Sequence, residues 1–346
     1  MAQINKPDEY FNTVLYTGTG STQSITGVGF QPDWVWIKQR GGTTWHQLYD
    51  SVRGVTKALA SNDTFQEDTR ATGLTAFGSD GFTVGSDNNA NGSSNTYVAW
   101  NWLAANGTAS NTDGSITSTV SANTTSGFSI VSYTGTGSNA TVGHGLSSAP
   151  KMIIVKDRSA AKNWTVYHIG VGNDKDILLD VTNAANSSTA WNSTTPSSSV
   201  FSIGTLGNVN TSSNNYIAYC FAEKKGFSKF GSYTGNGQSE DGPFIYTGFK
   251  PAFVIVKKYD STGGNWVMWD NKRSDVPNAN VNDQVLYPNE PNAELSSATR
   301  EIDTLSNGFK IRGEGGNINA DADNFIYMAF AENPFVTSGG IPTTAR

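Results

Sequence analysis

Tyr16-Thr17-Gly18-Thr19-Gly20 is the first of three copies of one motif in this chain. The same five residues return at 133–137, and Tyr-Thr-Gly-Asn-Gly stands at 233–237. The copies begin 117 and 100 residues apart. Repeats of that length are whole domains, because solenoid and propeller units span only about 20–50 residues. The spacing therefore predicts one domain used three times, as is typical of a surface-building or binding protein.

Each motif is followed by a proline and an apolar run that ends on lysine, at 32–38, 150–156 and 251–257. In the first run, strand alternation places Trp34 and Trp36 on one face and Val35 and Ile37 on the other. Both faces are apolar, which is typical of a central strand that is covered on both sides. The sequence thus predicts a buried strand at the same place in every repeat.

A tryptophan-led segment comes next and also alternates like a strand; its copies begin at Trp45, Trp164 and Trp266. Each repeat then closes with a hairpin, whose second arm lies at 97–102, 216–221 and 325–330. About six to eight short strands per repeat, without a convincing long helix, are typical of sandwiches and jelly rolls. The predicted fold class is all-β, with three tandem antiparallel β-sandwich (jelly-roll-like) domains.

The repeats predict domains at 1–107, 125–225 and 226–335. A Ser/Thr/Asn-rich linker is expected at 108–124, and a flexible tail at 336–346. The linker could instead supply an edge strand, and the alternation of Ile116, Ser118 and Val120 favours ordered pairing. Repeats 2 and 3 are joined almost directly, so we expect them to be tightly coupled.

Composition argues against several classes of protein. The 346 residues carry a net charge of −6, without a basic patch, so nucleic-acid binding is not expected. Cys220 is the only cysteine, which excludes intrachain disulfides and thiolate metal clusters. The first eight residues lack the apolar core of a signal peptide, and no apolar run is long enough for a membrane span. We expect a protein that matures in a reducing cytoplasm.

Two aspartates invite a catalytic reading. Asp80 and Asp87 flank a strand and could form an acid pair. The position of Asp80 holds Ser199 in the second repeat and Asn307 in the third. A turn tolerates that exchange and a general acid does not, so turn residues are the favoured interpretation.

Metal and cofactor sites are not predicted. His46, His144 and His168 lack metal-ligand spacing, and no nucleophile signature accompanies them. The segment 319–324 alternates oxygen ligands but lacks the glycine and glutamate of a calcium loop. The repeated Gly-x-Gly lacks the third glycine and following helix of a phosphate cradle. We therefore expect no catalytic residue and no cofactor.

Tryptophans are the strongest candidates for a binding role, because exposed rings stack on sugars. Trp266 and Trp269 lie three residues apart, so strand alternation puts them on opposite faces. Trp191 lies in a Ser/Thr/Asn-rich loop. These three are the candidate glycan contacts. Core packing is expected for Trp34, Trp36, Trp100 and Trp102.

The blocks resemble repeats in virion structural proteins of tailed bacteriophages, especially phages of marine bacteria and cyanobacteria. The resemblance is carried by Gly-Phe-Gln-Pro-Asp-Trp-Val-Trp-Ile-Lys at 29–38 and by the blocks at 78–85, 126–137, 141–146, 241–251 and 328–335. It extends from about residue 8 to 335. It implies a place on the virion as a tail fibre, receptor-binding appendage or capsid decoration, and it implies no enzyme.

Three hypotheses follow. The first is a non-enzymatic tail fibre or appendage that attaches to host-surface glycan, with other virion proteins and further copies of itself as partners. The second is a decoration or cement protein that stabilises the capsid. The third is a glycan depolymerase, which should show a cleft ringed by carboxylates in one repeat only. Host-glycan binding would separate the first from the second, and product release would indicate the third.

Overall fold

Strands dominate the computed structural model, which describes residues 3–274 and 280–343. The strands of every sheet in this part of the chain pair antiparallel. The prediction of an all-β fold is confirmed. Each repeat packs a main sheet against one or more further sheets, and each main sheet contains the central strand that the apolar runs predicted.

The first repeat has nine described strands, with helix α1 (Asn88–Asn91) before the last and a 3₁₀ turn (Pro7–Glu9) before the first. Its strands are β1 (Phe11–Thr17), β2 (Gln23–Ile25), β3 (Trp34–Gln39), β4 (Gln47–Asp50), β5 (Lys57–Ala60), β6 (Asp68–Thr69), β7 (Leu74–Gly78), β8 (Gly81–Val84) and β9 (Thr96–Trp102). The large sheet has the order β1-β9-β3-β4-β5-β6, and the small one β2-β8-β7.

The second repeat has ten described strands, with helix α2 (Gly207–Asn210) before the last. They are β10 (Ala109–Asn111), β11 (Ser118–Asn123), β12 (Phe128–Thr134), β13 (Ala140–Gly143), β14 (Met152–Asp157), β15 (Thr165–His168), β16 (Gly172–Leu178), β17 (Asn186–Ser187), β18 (Val200–Ile203) and β19 (Asn215–Phe221). The large sheet has the order β10-β11-β12-β19-β14-β15-β16-β17, and β13 pairs with β18.

The third repeat has ten described strands and a 3₁₀ turn (Ala298–Arg300). They are β20 (Ser228–Thr234), β21 (Phe244–Tyr246), β22 (Phe249–Lys258), β23 (Trp266–Asp270), β24 (Val281–Asn282), β25 (Gln284–Val285), β26 (Leu295–Ser296), β27 (Ile302–Leu305), β28 (Gly308–Ile311) and β29 (Asn324–Pro334). The sheet that contains the central strand has the order β20-β29-β22-β23; a second four-stranded sheet has the order β21-β28-β27-β24, and β25 pairs with β26.

The two apolar faces of each central strand enter two different cores. Val35 and Ile37 of β3 pack inside their own repeat, and the corresponding residues of β14 and β22 do the same. Trp34 and Trp36 instead join a second cluster, to which all three repeats contribute. The alternation predicted that both faces are buried, but it could not tell which element covers the face of Trp34 and Trp36.

The shared core joins the three repeats to one another. Trp102, Phe221 and Phe330 occupy equivalent positions, opposite the first residue of the apolar run in their own repeat. The Phe330 ring lies 5.7 Å from that of Trp102 and 6.0 Å from that of Phe221. Three aromatic side chains from three repeats thus meet in one buried cluster, so the repeats pack as one body around it.

The repeated motif is explained by a buried asparagine clamp. Asn210 is fully buried; its Oδ1 accepts from the Thr136 amide at 2.7 Å and its Nδ2 donates to the Ser138 carbonyl at 2.6 Å. Asn91 and Asn319 hold the first and third motifs through the same pattern of bonds. The motif is therefore a structural turn, and its amides are already occupied by protein oxygens.

The motif's first glycine is required by close packing. A Cβ on Gly135 would lie 2.3 Å from the Thr211 carbonyl oxygen, well inside contact distance. The tyrosine before it stacks on its strand neighbour, with Tyr133 and Tyr216 ring centres 5.1 Å apart. The same stack forms in the other repeats. Tight turn and aromatic pair together explain why this motif survives in every repeat.

The segment 108–124 is not a free linker. Strands β10 and β11 extend the large sheet of the second repeat, with Val120 opposite Val131. The ordered pairing favoured by the alternation is therefore the observed state. The described part of the tail, 336–343, turns back on itself, and Ser338 bonds to Asn5 near the amino terminus. Residues 344–346 lie outside the described part of the chain.

Candidate functional site

The three tryptophans expected to contact glycan are buried. Trp191, Trp266 and Trp269 are each 1% exposed. Trp266 donates its indole N–H to the Leu178 carbonyl at 2.9 Å, and Trp269 donates to the Arg300 carbonyl at 2.9 Å. A ring without an accessible face cannot stack on a sugar, so these residues are core and interface residues. Loop polarity around Trp191 was a misleading signal, because its ring packs inward against Tyr167.

The other sequence candidates have structural partners. Asp80 accepts from the Gly27 and Gly29 amides at 3.0 and 2.7 Å, and these bonds lower the pKa of its carboxyl. Asp87 caps helix α1 by accepting from the Asn89 amide. Both aspartates thus accept from main-chain amides, and for Asp80 this is the turn role that the exchange between repeats indicated.

The three histidines are buried singly. Burial lowers the pKa of His168 to about 4 and shifts His46 and His144 in the same direction. Across residues 3–274 and 280–343, no three His, Cys, Asp or Glu side chains group as metal ligands. Asp323, in the calcium-like segment, is bound to Lys258 at 3.2 Å.

The repeats meet through three contacts that we call seams, each fixed by the same main-chain bond. At seam 1–2 the Glu67 amide donates to the Arg158 carbonyl at 3.1 Å. The other two bonds are Ala185 N to Tyr259 O at seam 2–3 and Glu294 N to Arg40 O at seam 3–1, both 2.7 Å. Each repeat thus uses one surface toward the repeat before it and another toward the repeat after it. Such head-to-tail contacts close into a ring when the rotation fits, and here the third seam closes it within one chain.

Two seams carry matching ion pairs. Arg158 binds Glu67 at 2.9 Å across seam 1–2, and Arg40 binds Glu294 at 2.6 Å across seam 3–1. At seam 2–3, the arginine position holds Tyr259 and the pair is uncharged. Burial would raise the pKa of Glu67, but hydrogen bonding and charge from Arg158 outweigh it and hold that pKa below its usual range.

Buried aspartate–arginine pairs reinforce the same two seams. Asp50 pairs with Arg53 inside repeat 1 and also accepts from the Tyr219 hydroxyl of repeat 2 at 2.7 Å. Asp270 and Arg273 form the equivalent pair in repeat 3, at 2.5 Å. A buried carboxylate without such donors would be strongly destabilising. The inter-repeat donor is therefore part of what keeps each charge in the interior.

The inter-repeat hydrogen-bond donor and the buried aspartate that accepts from it are both present at two seams and both absent at the third. Trp100 donates to Asp270 at 2.9 Å across seam 3–1, in the same way as the tyrosine at seam 1–2. At seam 2–3 the equivalent donor position is Met328, which cannot donate. The position equivalent to Asp50 and Asp270 holds His168 at this seam, and its Nε2 lies 3.1 Å from the Tyr327 carbonyl oxygen. Loss of the donor coincides with loss of the buried charge, which indicates that the seams are structural equivalents.

Buried lysines also tie the seams. Lys156 donates to the Thr64 carbonyl at 2.8 Å across seam 1–2, and Lys257 donates to the Thr182 carbonyl at 3.3 Å across seam 2–3. Lys38 bonds within its own repeat. Burial lowers the pKa of each of these three lysines to about 8.

Seam 1–2 contains a pocket of about 410 Å³, which we call the seam pocket. Its side chains include Trp45, Phe65, Glu67, Asp68, Arg70 and, from repeat 2, Ala161. The Trp45 and Phe65 rings meet edge to face with centres 5.3 Å apart, and Phe65 is 50% exposed. The Arg70 guanidinium lies 5.0 Å from the centre of the Trp45 ring. A half-buried tryptophan and an exposed phenylalanine beside charged donors and acceptors are the lining expected of a small-ligand site.

The pocket's distinctive side chains are confined to one repeat. One hydrogen bond that recurs in every repeat identifies the equivalent positions. In it, a main-chain amide donates to a side-chain oxygen: His46 to Asn62, Trp164 to Asp180 and Trp266 to Asn289. By that register, the equivalents of Trp45, Phe65 and Arg70 are Asn163, Asn183 and Ser188 in repeat 2 and Asn265, Asn292 and Ser297 in repeat 3. The scaffold does not need aromatics here, so their presence points to a task specific to this seam.

The sequence analysis missed this pocket because its alignment of the tryptophan-led segments was shifted by one residue in the first repeat. Aligning on tryptophan paired Trp45 with Trp164 and Trp266, whereas the structure pairs those two with His46. A one-residue shift in a strand moves a side chain to the other face. His46 is thus the buried residue, accepting from the Trp36 indole N–H at 2.8 Å, and Trp45 is left beside solvent. The shorter lysine-to-tryptophan spacing in the first repeat was the available signal.

Residues 6–334 match the family described as "Domain of unknown function (DUF7483)". The chain belongs to the DUF7483 family. A search of curated proteins gave this DUF7483 chain no match. Among solved structures, one described as "Crystal Structure of the STIV MCP" aligns at 9% identity over 92% of this chain and 84% of that one, with a TM-score of 0.17. A likeness at that score carries no argument about fold or function. In the described part of the DUF7483 chain, no helix is long and apolar enough to cross a membrane.

Proposed function

We propose that this protein is a non-enzymatic structural protein of a bacteriophage virion that attaches to host-surface glycan through the seam pocket. The observation that carries the proposal is the confinement of Trp45, Phe65 and Arg70 to one seam of an otherwise repeated scaffold. The resemblance of the repeat blocks to phage virion proteins supplies the virion part. The tail-fibre or appendage role is preferred to decoration because a ligand pocket suits attachment.

The lining of the seam pocket suits a sugar. A pyranose presents an apolar C–H face, which the Trp45 and Phe65 rings would cover, and a rim of hydroxyls that Arg70 and Asp68 would bind. The exposed fraction of Phe65 leaves ring surface for such a contact. Each contact is weak, so several copies on one particle would raise attachment through avidity.

The ring supports a mechanical role. Its seams are satisfied within one chain by main-chain bonds, ion pairs and the shared core. A homo-oligomer, which we still expect for a virion appendage, must therefore use a surface other than the seams. Rigid elements hold a binding site more accurately than free loops do.

A depolymerase function is less well supported by the same pocket than glycan attachment is. A glycosidase acid needs a carboxyl whose pKa is raised, so that it is protonated near neutral pH. Glu67 is instead held ionised by Arg158 and Arg53, which keep its pKa below the usual range. Asp68 is exposed and lies 3.4 Å from Arg70. The charges here favour binding over proton transfer.

The test is glycan binding by the full-length protein on an array of host-surface polysaccharides. We expect Trp45→Ala to weaken binding by about tenfold or more, since stacking on one aromatic side chain is worth about 1–3 kcal/mol in comparable contacts. Leu295→Ala is the control, because Leu295 is 46% exposed in the equivalent strand region of another repeat.

The outcomes separate the three hypotheses. Binding lost in Trp45→Ala and kept in Leu295→Ala supports attachment. No binding by the unaltered protein, together with antibody labelling of the phage head, supports decoration instead. Release of short oligosaccharides from the bound polysaccharide would refute the non-enzymatic part of the proposal.

A further inference from the structure

A second cleft lies at the junction of repeats 2 and 3, away from the seam pocket. Its volume is about 660 Å³, and it surrounds the direct link between the two repeats. Its charged and aromatic lining consists of Lys151, Glu223, Lys224, Lys225, Lys229 and Tyr246. We call it the lysine cleft.

The lysine cleft carries excess positive charge in an acidic protein. Among its described lining residues Glu223 is the only carboxylate, and Lys229 pairs with it at 2.8 Å. Within the described residues, the ammonium groups of Lys151, Lys224 and Lys225 form no ion pair or hydrogen bond. The whole chain has a net charge of −6, so local accumulation of four cations is not a consequence of its composition.

The scaffold does not require these cations. Lys151 and Asp33 are equivalent, because their amides donate to the carbonyls of Phe221 and Trp102 at the same point of the sheet. The strand registers and residue counts give the remaining equivalents: Ala252 for Lys151, Asn12 and Ser129 for Lys229, and Ala105 and Asn333 for Lys224. None of these six positions holds a cation. As at the seam pocket, residues that differ from their equivalents in the other repeats indicate a function that is specific to this place.

Lys224 gives independent support. Its residue surface is only 6% exposed, although its side chain lines the cleft and meets no carboxylate among the described residues. Burial disfavours the charged ammonium and lowers the pKa of Lys224. The stem of Lys224 is therefore buried while its ammonium reaches the cleft, and a bound anion would give this cation the charge-assisted partner that it lacks among the described residues.

We infer that the lysine cleft binds an anionic saccharide, a sugar that carries sulfate or carboxylate groups. Lys151, Lys224 and Lys225 would bind the anionic groups as charge-assisted donors. Tyr246 is 60% exposed at the same cleft and offers a ring face to the sugar. The inference goes beyond the proposed attachment function, because it assigns a second site with a different ligand charge in a different pair of repeats.

The experiment titrates the full-length protein with dextran sulfate, neutral dextran, inorganic sulfate and phosphatidylglycerol vesicles at an ionic strength of about 0.1 M. The cleft variant combines Lys151→Gln with Lys225→Gln, and a second variant is Tyr246→Ala. The control combines Lys175→Gln with Lys272→Gln, which removes the same charge away from the cleft. Thermal unfolding of each variant checks that the fold is kept.

We expect dextran sulfate to bind and the cleft variant to bind about tenfold more weakly, from the loss of two charged contacts of about 0.7 kcal/mol each. The control should change affinity by less than about twofold, because charges far from the ligand are screened. Tyr246→Ala should weaken dextran sulfate and leave inorganic sulfate unaffected. Trp45→Ala should not matter, so failure here is distinguishable from failure of the attachment proposal.

Three results would overturn the inference. One is equal binding of dextran sulfate to the cleft and control variants, or no binding to either. Another is inorganic sulfate binding as tightly as the polymer per sulfate group, which would make the free anion the ligand. The last is tighter binding to the vesicles than to dextran sulfate, which would make the cleft a lipid-headgroup site.

Discussion

Trp34→Ala should destabilise all three repeats at once. Trp34 is fully buried in the shared core, and its ring centre lies 4.4 Å from that of Trp102 in its own repeat. It also stacks on Tyr219 of repeat 2, at 4.4 Å, and lies 5.9 Å from the Phe221 ring. Truncation of a large buried aromatic residue costs about 3–5 kcal/mol. Because the lost contacts belong to two repeats, we expect a value near the upper end of that range.

Native-state hydrogen exchange measures this loss in each repeat separately. Amides in the central strands β3, β14 and β22 should lose the same free energy of opening in Trp34→Ala, since the strands depend on one core. Val35→Ala is the matched control: it is the next residue of the strand, fully buried, but it packs only within repeat 1. Its cost should be about 2 kcal/mol, the lower bound for loss of a larger aliphatic side chain. Loss of protection confined to β3 in Trp34→Ala would refute the shared core.

Three further perturbations test the interior. Asn210→Ala should lower the free energy of unfolding by about 3 kcal/mol, because it leaves buried amide and carbonyl groups unpaired; chemical denaturation measures it, and a loss under about 0.5 kcal/mol would contradict the clamp. Trp100→Phe should cost about 1.5–3 kcal/mol, because it removes the inter-repeat donor to the Asp270 carboxylate, and a neutral effect would contradict that role. The three buried lysines have a pKa of about 8 in the folded chain, below the value of about 10.4 when unfolded. The unfolded chain therefore binds more protons between those values, so the lysine contribution to the free energy of unfolding should rise with pH by at most about 1.4 kcal/mol per unit per lysine. Lys156→Met should reduce that slope by about one third in denaturation series from about pH 8 to 10, and an unchanged slope would contradict the assignment.

The sequence allowed the architecture of each repeat to be predicted, because its signals are local. Alternation in 34–38 identified a strand with two buried faces, and the structure shows both buried. The recurring Tyr-Thr-Gly motif identified a turn after a tyrosine strand. Residues separated by two positions share a face whatever surrounds them, so these inferences needed no tertiary information.

The arrangement of the repeats was not predictable in the same way. An apolar face predicts that it is buried, but the residue type of Trp34 does not indicate that another repeat buries it. The seams depend on pairs far apart in the chain, such as Arg40 and Glu294, and one sequence contains no record of such pairing. The polar composition of 108–124 suggested a linker, although residues 118–123 form a strand of the large sheet.

One candidate was wrongly chosen, and the two sites were missed for different reasons. Polar surroundings made Trp191 look exposed, but its ring turns inward. Trp45 was hidden by an alignment that matched residue type instead of strand register. The lysine cleft gathers Lys151 with Lys224 and Lys225 only because two repeats are folded against each other. Local patterns assign faces, whereas both sites arise where distant segments meet.

Closure of the ring is tested most directly by a disulfide across seam 3–1. The Glu294 amide donates to the Arg40 carbonyl at 2.7 Å, so the two backbones are within reach of a disulfide bridge in the variant Arg40→Cys with Glu294→Cys. Cys220 should not interfere, because it is buried and burial raises the pKa of its thiol. We expect the variant to oxidise to an intramolecular bridge in a monomeric chain, shown by non-reducing electrophoresis and mass spectrometry. Free thiols after oxidation, or bridges only between chains, would contradict a ring closed within one chain.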